Sequence, residues 1–353
     1  MLVVRPGTPG DLDALMALAA NAVPQLTNLP AHRDRLAERL AGSVAALERT
    51  IDTPGEEIYV FVLEATDDQG RAAIVGTASI RARAGAKEAY YTWRRETLIH
   101  ASQQLDVRRP VSILSLSHEL SEASLLCAFS LDARYRATTG ERLLRRARLL
   151  FVAQHPERFM PTIAVAMPGH LDDAGTSPFW ESVGRHFFVR DFADINEMAG
   201  IYSKSFIAEV MPPFPLYEPL LTETGRQAIG STHSAHFAAA ADLRDEGFAD
   251  SRHVDLFDGG LLLEAPFKQL HSVHGNRWHP VRILDEVARD LRDTALLANQ
   301  NTTAFRCIAA PHALSSTGQL MLSPADAATL DLDTGRAVLA VTLPRLGHET
   351  APC

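Results

Sequence analysis

The chain has 353 residues, which favours about two domains, and its 46% hydrophobic and 22% charged residues are ordinary globular proportions. Lysine and arginine number 34 against 43 aspartates and glutamates, a net charge of −9, which argues against nucleic acid and anionic membrane surfaces as partners. Three cysteines, Cys127, Cys307 and Cys353, form no even disulfide set and no CxxC spacing. MLVVRPGTPGD shows no leader pattern, and no apolar run approaches the roughly 18 residues of a membrane span. The expectation is a soluble cytoplasmic protein, in which a local basic patch can still hold a polyanionic ligand.

Leu2 to Val4 reads as a short strand. Thr8-Pro9-Gly10-Asp11 offers an N-cap, a proline at the first helical position and the acidic end of a capping box. Leu12, Leu15, Met16 and Ala19 follow at helical spacing. A second helix is expected from near Pro30, with Leu36, Leu40, Val44 and Leu47 on one face. IYVFVLEA (58–65) and AAIVGTASIRA (72–82) flank the turn Asp67-Asp68-Gln69-Gly70 as a β-hairpin. Residues 84–110, with Tyr90, Tyr91 and Trp93, read as an excursion from the sheet. VSILSLS (111–117), LLCAFSL (125–131) and PTIAVAM (161–167) read as strands. A helix is expected from about Gly140 to Ala153, and another over SPFWESVGRHFF (177–188), opened by Ser177-Pro178.

After about residue 200 a Pro-rich loop (212–219) and a helical stretch near 236–246 lead to HVDLFDGGLLLEAPF, with Asp258-Gly259-Gly260 as a hairpin turn. Short apolar runs split by Gly, Pro and Asn then read as a small β-rich module. The pattern is α+β, with helices over a mostly antiparallel sheet. His271, His274 and His279 in HSVHGNRWH lack a strong zinc spacing and read as a solvated loop. Cys127 reads as a small core residue.

The layout strand–helix–helix–hairpin, then a strand feeding a loop and a helix, resembles the GNAT-type acyl-CoA N-acyltransferases. RPGTPGDLDALMALA, LTNLPAHRDRLAERL, YVFVLE, TLIHAS, SPFWESVGRHFF, FIAEVMP, FDGG and ANQNTTAFR occur in that order. Together they closely resemble the bacterial arginine N-succinyltransferase family, over nearly the whole chain. The resemblance implies a GNAT-like domain over 1–250 with a barrel-like, β-rich module over 251–353. It implies transfer of succinyl from succinyl-CoA, a co-substrate and not a resident cofactor, to the α-amino group of arginine or ornithine, without a metal. It also implies a homo-oligomer, or a hetero-oligomer with a paralogous subunit.

Such a reaction needs a neutral amine, a polarised thioester carbonyl and a proton for the departing thiolate. LLCAFSL is placed to bond the pantetheine arm through its backbone, with Phe129 and Leu131 as donor contacts implied by the resemblance. The family's proton-donating histidine falls on His233, in GSTHSAH, with His236 as the nearby alternative. GNAT proteins carry roughly Arg-x-x-Gly-x-Gly or Ala at the diphosphate loop. Here LDARYRATTGERLL keeps Arg136, places Thr139 and Glu141 at the two glycine positions, and leaves Gly140 between them. Thr139 crowds close backbone approach and Glu141 brings a carboxylate toward a diphosphate, whereas Arg134, Arg136, Arg142, Arg145 and Arg146 supply positive charge. Two readings stand: a modified phosphate cradle at Arg136, Thr139 and Gly140, or a turn that no longer binds CoA well.

Other departures fall where the family is polar. Leu125 stands at an acidic position, Ala166-Met167-Pro168-Gly169 replaces an acidic-then-basic segment, and Gln25 stands where glycine is usual. They favour a shifted amine substrate or a non-catalytic paralogous subunit as alternatives.

Overall fold

The computed structural model describes residues 1–201, 205–285 and 294–343; Cys353 lies outside them. In chain order the strands are β1 (Leu2–Pro6), β2 (Ile58–Thr66), β3 (Ala72–Arg81), β4 (Thr92–Ser102), β5 (Val107–Ser117), β6 (Ser124–Leu131), β7 (Thr162–Ala166) and β8 (Leu216–Tyr217). They continue with β9 (Ala249–Asp255), β10 (Leu261–Pro266), β11 (Arg277–Ile283), β12 (Thr294–Ala298), β13 (Cys307–Pro311), β14 (Ala313–Leu314), β15 (Leu320–Leu322) and β16 (Ala337–Thr342). The helices are α1 (Leu12–Ala20), α2 (Arg33–Glu48), α3 (Thr139–Gln154), α4 (Pro178–Ser182), α5 (Gly184–Phe188), α6 (Phe192–Ile201), α7 (Ser205–Val210), α8 (Glu223–Ala228), α9 (Phe237–Glu246), α10 (His271–His274) and α11 (Pro324–Leu330).

Among the described residues one sheet runs β14-β15-β11-β16-β12-β13-β1-β2-β3-β6-β7-β10-β9-β4-β5-β8. Its pairs are antiparallel except β6–β7 and β11–β15. The expected boundary at residue 250 falls inside β9, which with β10 bridges β7 to the β4–β5 hairpin. The expected β-rich segment supplies β11 to β16 and α11, around a core of Val281, Leu297, Ile308, Leu320, Leu330 and Val338.

Helix α3 buries Leu143, Leu144, Leu150 and Phe151 against β1–β3. The Phe151 ring meets Phe61 at 5.2 Å, Tyr59 at 5.4 Å and Phe305 at 5.4 Å. Offset and edge-on aromatic pairs of this kind add packing specificity to apolar burial. Because Phe305 precedes β13, this cluster ties the C-terminal strands to the central layer. Helix α2 is pinned to β2 by the Ser43 hydroxyl, which accepts the Val60 N–H at 2.9 Å. The capping box at Thr8 and Asp11 is formed, and Asp11 also takes both guanidinium nitrogens of Arg5 at 2.9 Å.

The expected excursion over 84–110 is corrected by β4. Its eleven residues pair in full with β5, from Thr92–Ser117 to Ser102–Val107. The polar run Arg94-Arg95-Glu96 hid this strand, but each charge has a partner. Arg94 pairs with Glu119, Arg95 grips Glu218 at 2.7 and 2.8 Å, and Glu96 accepts the Ser115 hydroxyl at 2.7 Å. Trp93 is buried and donates its indole N–H to the Leu256 carbonyl at 3.2 Å. The single helix expected over 177–188 is two, broken at Val183, where Gly184 lies so close to Trp180 that a Cβ would meet the ring at 2.1 Å. The second helix opens at Arg33, capped by His32, and not at Pro30. HSVHGNRWH forms one turn of helix and the start of β11 instead of a loop.

Candidate active site

Strand β6 is irregular where the chemistry was expected. Its register against β3 shifts between the pairs Ser79–Cys127 and Thr77–Ser130, and Ala128 takes φ +52°. This is a β-bulge, which re-aims backbone groups and bends the strand. The parallel neighbour β7 pairs only with Ser124, Leu125 and Leu126. Past Leu126 the two strands part. The connection between α1 and α2 lies over the gap: the Asn28 side chain accepts the Ala128 N–H at 2.9 Å, and the Ser130 hydroxyl donates to the Leu18 carbonyl at 2.8 Å.

Three contiguous cavities follow this gap. One of about 120 Å³ lies against Phe129, Leu131, Arg136, Glu141 and His236. A narrow one of about 60 Å³ shares Pro24 and Leu26 with it and reaches Asp255 and Asp258. The third, of about 560 Å³, shares Asn28, Ala166 and Asp255 and opens among Arg39, Arg81, Tyr90, Tyr91 and Cys127. Tyr90 and Tyr91 therefore face a pocket, whereas Trp93 is core.

The loop before α3 is internally satisfied. Thr138, not Thr139, caps the helix: its hydroxyl accepts the Gly140 N–H at 3.1 Å and donates to the Tyr135 carbonyl at 2.6 Å. Glu141 turns into the loop, where its carboxylate accepts the Ala137 N–H at 2.7 Å and pairs with Arg145 at 2.6 Å. Ala137 stands at φ +56°, a left-handed position that costs a residue with a Cβ. Gly140 packs against Leu2, whose side-chain tip a Cβ there would meet at 2.9 Å. Of the residues expected to hold CoA, Phe129, Leu131 and Arg136 line the first cavity; Thr139 and Gly140 do not.

The arginine cluster is mostly committed elsewhere. Arg146 pairs with Asp242 and Glu246 at 2.8 Å each, Arg142 with Asp242 at 3.2 Å, and Arg134 with Asp132 at 2.7 Å. Arg136 has no ion pair among the described residues, so it is the cation of the set left facing the cavity. Arg145 lies 4.3 Å from the centre of the Phe129 ring, a cation–π contact that fixes the ring beside the bulge.

The two candidate histidines carry complementary tautomers. His233 Nδ1 accepts the Ala235 N–H at 3.2 Å, so in the neutral ring the proton sits on Nε2. His236 Nε2 lies 3.2 Å from the Val23 carbonyl, which only accepts, so this nitrogen is the donor and Nδ1 holds the free lone pair. The rings are 6.2 Å apart. Burial lowers both pKa values from the ordinary histidine value; His170 and Arg136 add to the effect at His233, and Arg145, His233 and Arg136 at His236. His236 lines the first cavity; His233, the residue expected to be catalytic, has its backbone N–H on the Pro168 carbonyl at 2.8 Å and lines none of the three cavities.

At the other end of the narrow cavity, the Asp258-Gly259-Gly260 turn packs on the segment after β7. Asp258 accepts the Gly169 N–H at 2.7 Å and the Gly260 N–H at 2.8 Å. Burial, with the nearby Asp255 charge, raises its pKa to about 8. Leu125 and Ala166 line the large cavity, and Met167, Pro168 and Gln25 the narrow one. Asn28, Arg39 and Arg81 were not foreseen: they come from an interhelix loop, α2 and β3, and no spacing joins them in sequence.

A bulged strand parting from a parallel neighbour, with a helix N-terminus beside the bulge and cavities on both sides, defines an acyl-CoA-dependent N-acyltransferase with a GNAT-like α+β fold. A family model described as arginine N-succinyltransferase beta subunit matches residues 2–272. Pseudomonas aeruginosa arginine N-succinyltransferase subunit alpha is 37% identical over 80% of this chain and 83% of its own. The P. aeruginosa subunit beta is 36% identical over 97% and 98%, and the Yersinia enterocolitica arginine N-succinyltransferase 36% over 97% and 98%. The solved structure of arginine/ornithine succinyltransferase subunit AI from P. aeruginosa superposes with a TM-score of 0.89 at 32% identity, covering 98% of this chain and 99% of that one. The chain belongs to the arginine N-succinyltransferase family. Its near-equal identity to alpha and beta subunits assigns it to neither. No helix among the described residues is long and apolar enough to cross a membrane.

Proposed function

We propose that the chain transfers the succinyl group of succinyl-CoA to the α-amino group of an amino acid, with arginine and ornithine, named for its relatives, as the first acceptors to assay. The observation that carries this reading is the bulge at Ala128 beside the unpaired edge of β6, where a pantetheine arm can lie as a strand partner and a thioester can be polarised by backbone donors. The diphosphate would lie at Arg136 and the loop before α3, and the backbone at Phe129 and Leu131 would hold the arm. The part that carries this chemistry extends past residue 250 through β9 and β10, and the strands from β11 onward are appended as the β-rich module.

The amine nitrogen attacks the thioester carbonyl carbon. A C–N bond forms, the C–S bond breaks, the amine gives up one proton and the thiolate takes up one. His236 Nδ1, unprotonated near neutral pH, suits acceptance of the amine proton, directly or through water. The imidazolium so formed returns this proton to the departing thiolate, directly or through His233, and both rings end neutral as they began. Holding both reactants in joined cavities removes the entropic cost of a bimolecular encounter.

The test is release of free CoA thiol from succinyl-CoA against a panel of amines, with product masses recorded. Amine-dependent thiol release with a succinylated product is expected; thiol release independent of every amine contradicts the reading.

A second reading is favoured by Glu141, which occupies the loop where a phosphate would sit. In it the chain is one subunit of a hetero-oligomer whose paralogous partner does the chemistry. Activity that appears only after mixing with a family member carrying a glycine-rich loop would support it.

A further inference from the structure

The large cavity beyond the bulge is more cationic than an acceptor pocket for a guanidinium needs. Arg35, Arg39, Arg81 and Lys87 line it, against the carboxylates of Glu88 and Asp255. Arg35 is committed to Glu38 at 3.1 Å. Arg39 donates to the Asn28 carbonyl, and neither Arg39 nor Arg81 has an ion pair among the described residues. Asn28 therefore links the bulge, through the Ala128 N–H, to the Arg39 guanidinium. Arg81 sits opposite Leu125 in the β3–β6 ladder, three residues along β6 from Ala128. Both arginines are half-buried, and Arg39 is held below the ordinary arginine pKa by burial and by the Arg81 charge. Two unpaired guanidinium groups crowded in a cavity are costly unless an anion joins them.

We propose that Arg39 and Arg81 form a carboxylate subsite for the distal end of the transferred acyl group, selecting a dicarboxylic acyl-CoA over a simple fatty acyl-CoA. The inference rests on the succinyl-transfer reading and adds the residues that read the acyl chain. With the thioester carbonyl at the bulge, the succinyl chain continues past Cys127 and carries its carboxylate two methylenes further, toward Arg81. Planar guanidinium groups accept a carboxylate through paired N–H bonds that an ammonium does not reproduce.

The full-length protein is titrated calorimetrically with succinyl-CoA and with butyryl-CoA, which matches its chain length but lacks the carboxylate. The wild type is expected to prefer succinyl-CoA at least tenfold. Arg81→Met and Arg39→Met are expected to bring the ratio toward one while butyryl-CoA affinity holds, and Arg81→Lys to restore part of it. Tight binding of both esters with a wild-type ratio near one overturns the subsite alone. So does an equal loss of both esters in the folded variants. Failure of both esters to bind the wild type overturns the acyltransferase reading and the subsite together. The remaining source of a carboxylate is the acceptor amino acid. If the variants raise KM for arginine but not for its decarboxylated amine, and leave the donor ratio untouched, the subsite belongs to the acceptor and the proposal falls.

Discussion

The Glu141 carboxylate accepts the backbone N–H of Ala137 at 2.7 Å, closing the loop that a diphosphate would enter. A helix N-terminus attracts anions through its free N–H groups and its dipole, and here a side chain of the same helix has taken part of that role. Arg145 holds Glu141 in place at 2.6 Å and also reaches Asp242 at 3.6 Å, so removing Glu141 leaves Arg145 with a partner.

Glu141→Ala should therefore tighten CoA-ester binding. The change removes a like charge from the diphosphate and frees the Ala137 N–H. An increase of about tenfold in affinity, about 1.4 kcal/mol, is expected from calorimetry at low salt. Unchanged or weaker binding would mean that the donor does not use this loop.

The histidines fix the acid limb of the pH profile. Both pKa values lie below the ordinary value, first through burial. The neutral forms are the working forms, so the acid-side fall of kcat/KM should lie below the ordinary histidine range. His233→Ala or His236→Ala should lower kcat by roughly 10²-fold or more. A profile whose acid limb is unmoved in His236→Gln would remove His236 from the proton path.

Asp258 makes stability depend on pH. Asp258 titrates at about 8 in the folded chain against an ordinary aspartate value of 3.8, because burial and the Asp255 charge disfavour its anion. Between those values the folded state binds a proton that the unfolded state has released. The stabilisation is complete below about pH 4 and is lost as pH rises toward 8, with a slope of at most about 1.4 kcal/mol per unit. Urea unfolding across this range should show the fall, and Asp255→Asn should flatten it. A wild-type slope of zero would contradict the raised Asp258 pKa.

Arg146 and Glu246 lie 2.8 Å apart and are both almost wholly buried, joining α3 to the C-terminal end of α9. Glu246→Ala leaves a buried guanidinium short of one partner and should cost about 3 kcal/mol in urea unfolding. The double change Arg146→Met with Glu246→Leu should recover much of it. A double variant no more stable than the single one would show that the pair does more than neutralise charge.

The helices at 12–20 and 139–154, the 58–81 hairpin and the strand at 124–131 were legible because their apolar residues keep a single period. Strand β4 was not, because Arg94 and Arg95 form their ion pairs with Glu119 and Glu218, which only the fold brings in. Phe129, Leu131 and Arg136, reached through the family resemblance, line one cavity with His236, the alternative to His233, whereas His233 lines none of the three cavities. The orientation of Glu141 was not, since sequence cannot say whether a carboxylate points away from a loop or caps it. Arg39, on α2, and Arg81, the last residue of β3, meet only in the fold, where both line one cavity.

The central claim, an acyl-CoA site beside the bulge, is tested most directly by titrating the purified chain with succinyl-CoA, wild type against Arg136→Ala. One saturable site that weakens about tenfold in the variant is the predicted result. A folded wild type that binds no CoA ester even at roughly millimolar concentration, the weak end of specific affinities, would contradict it.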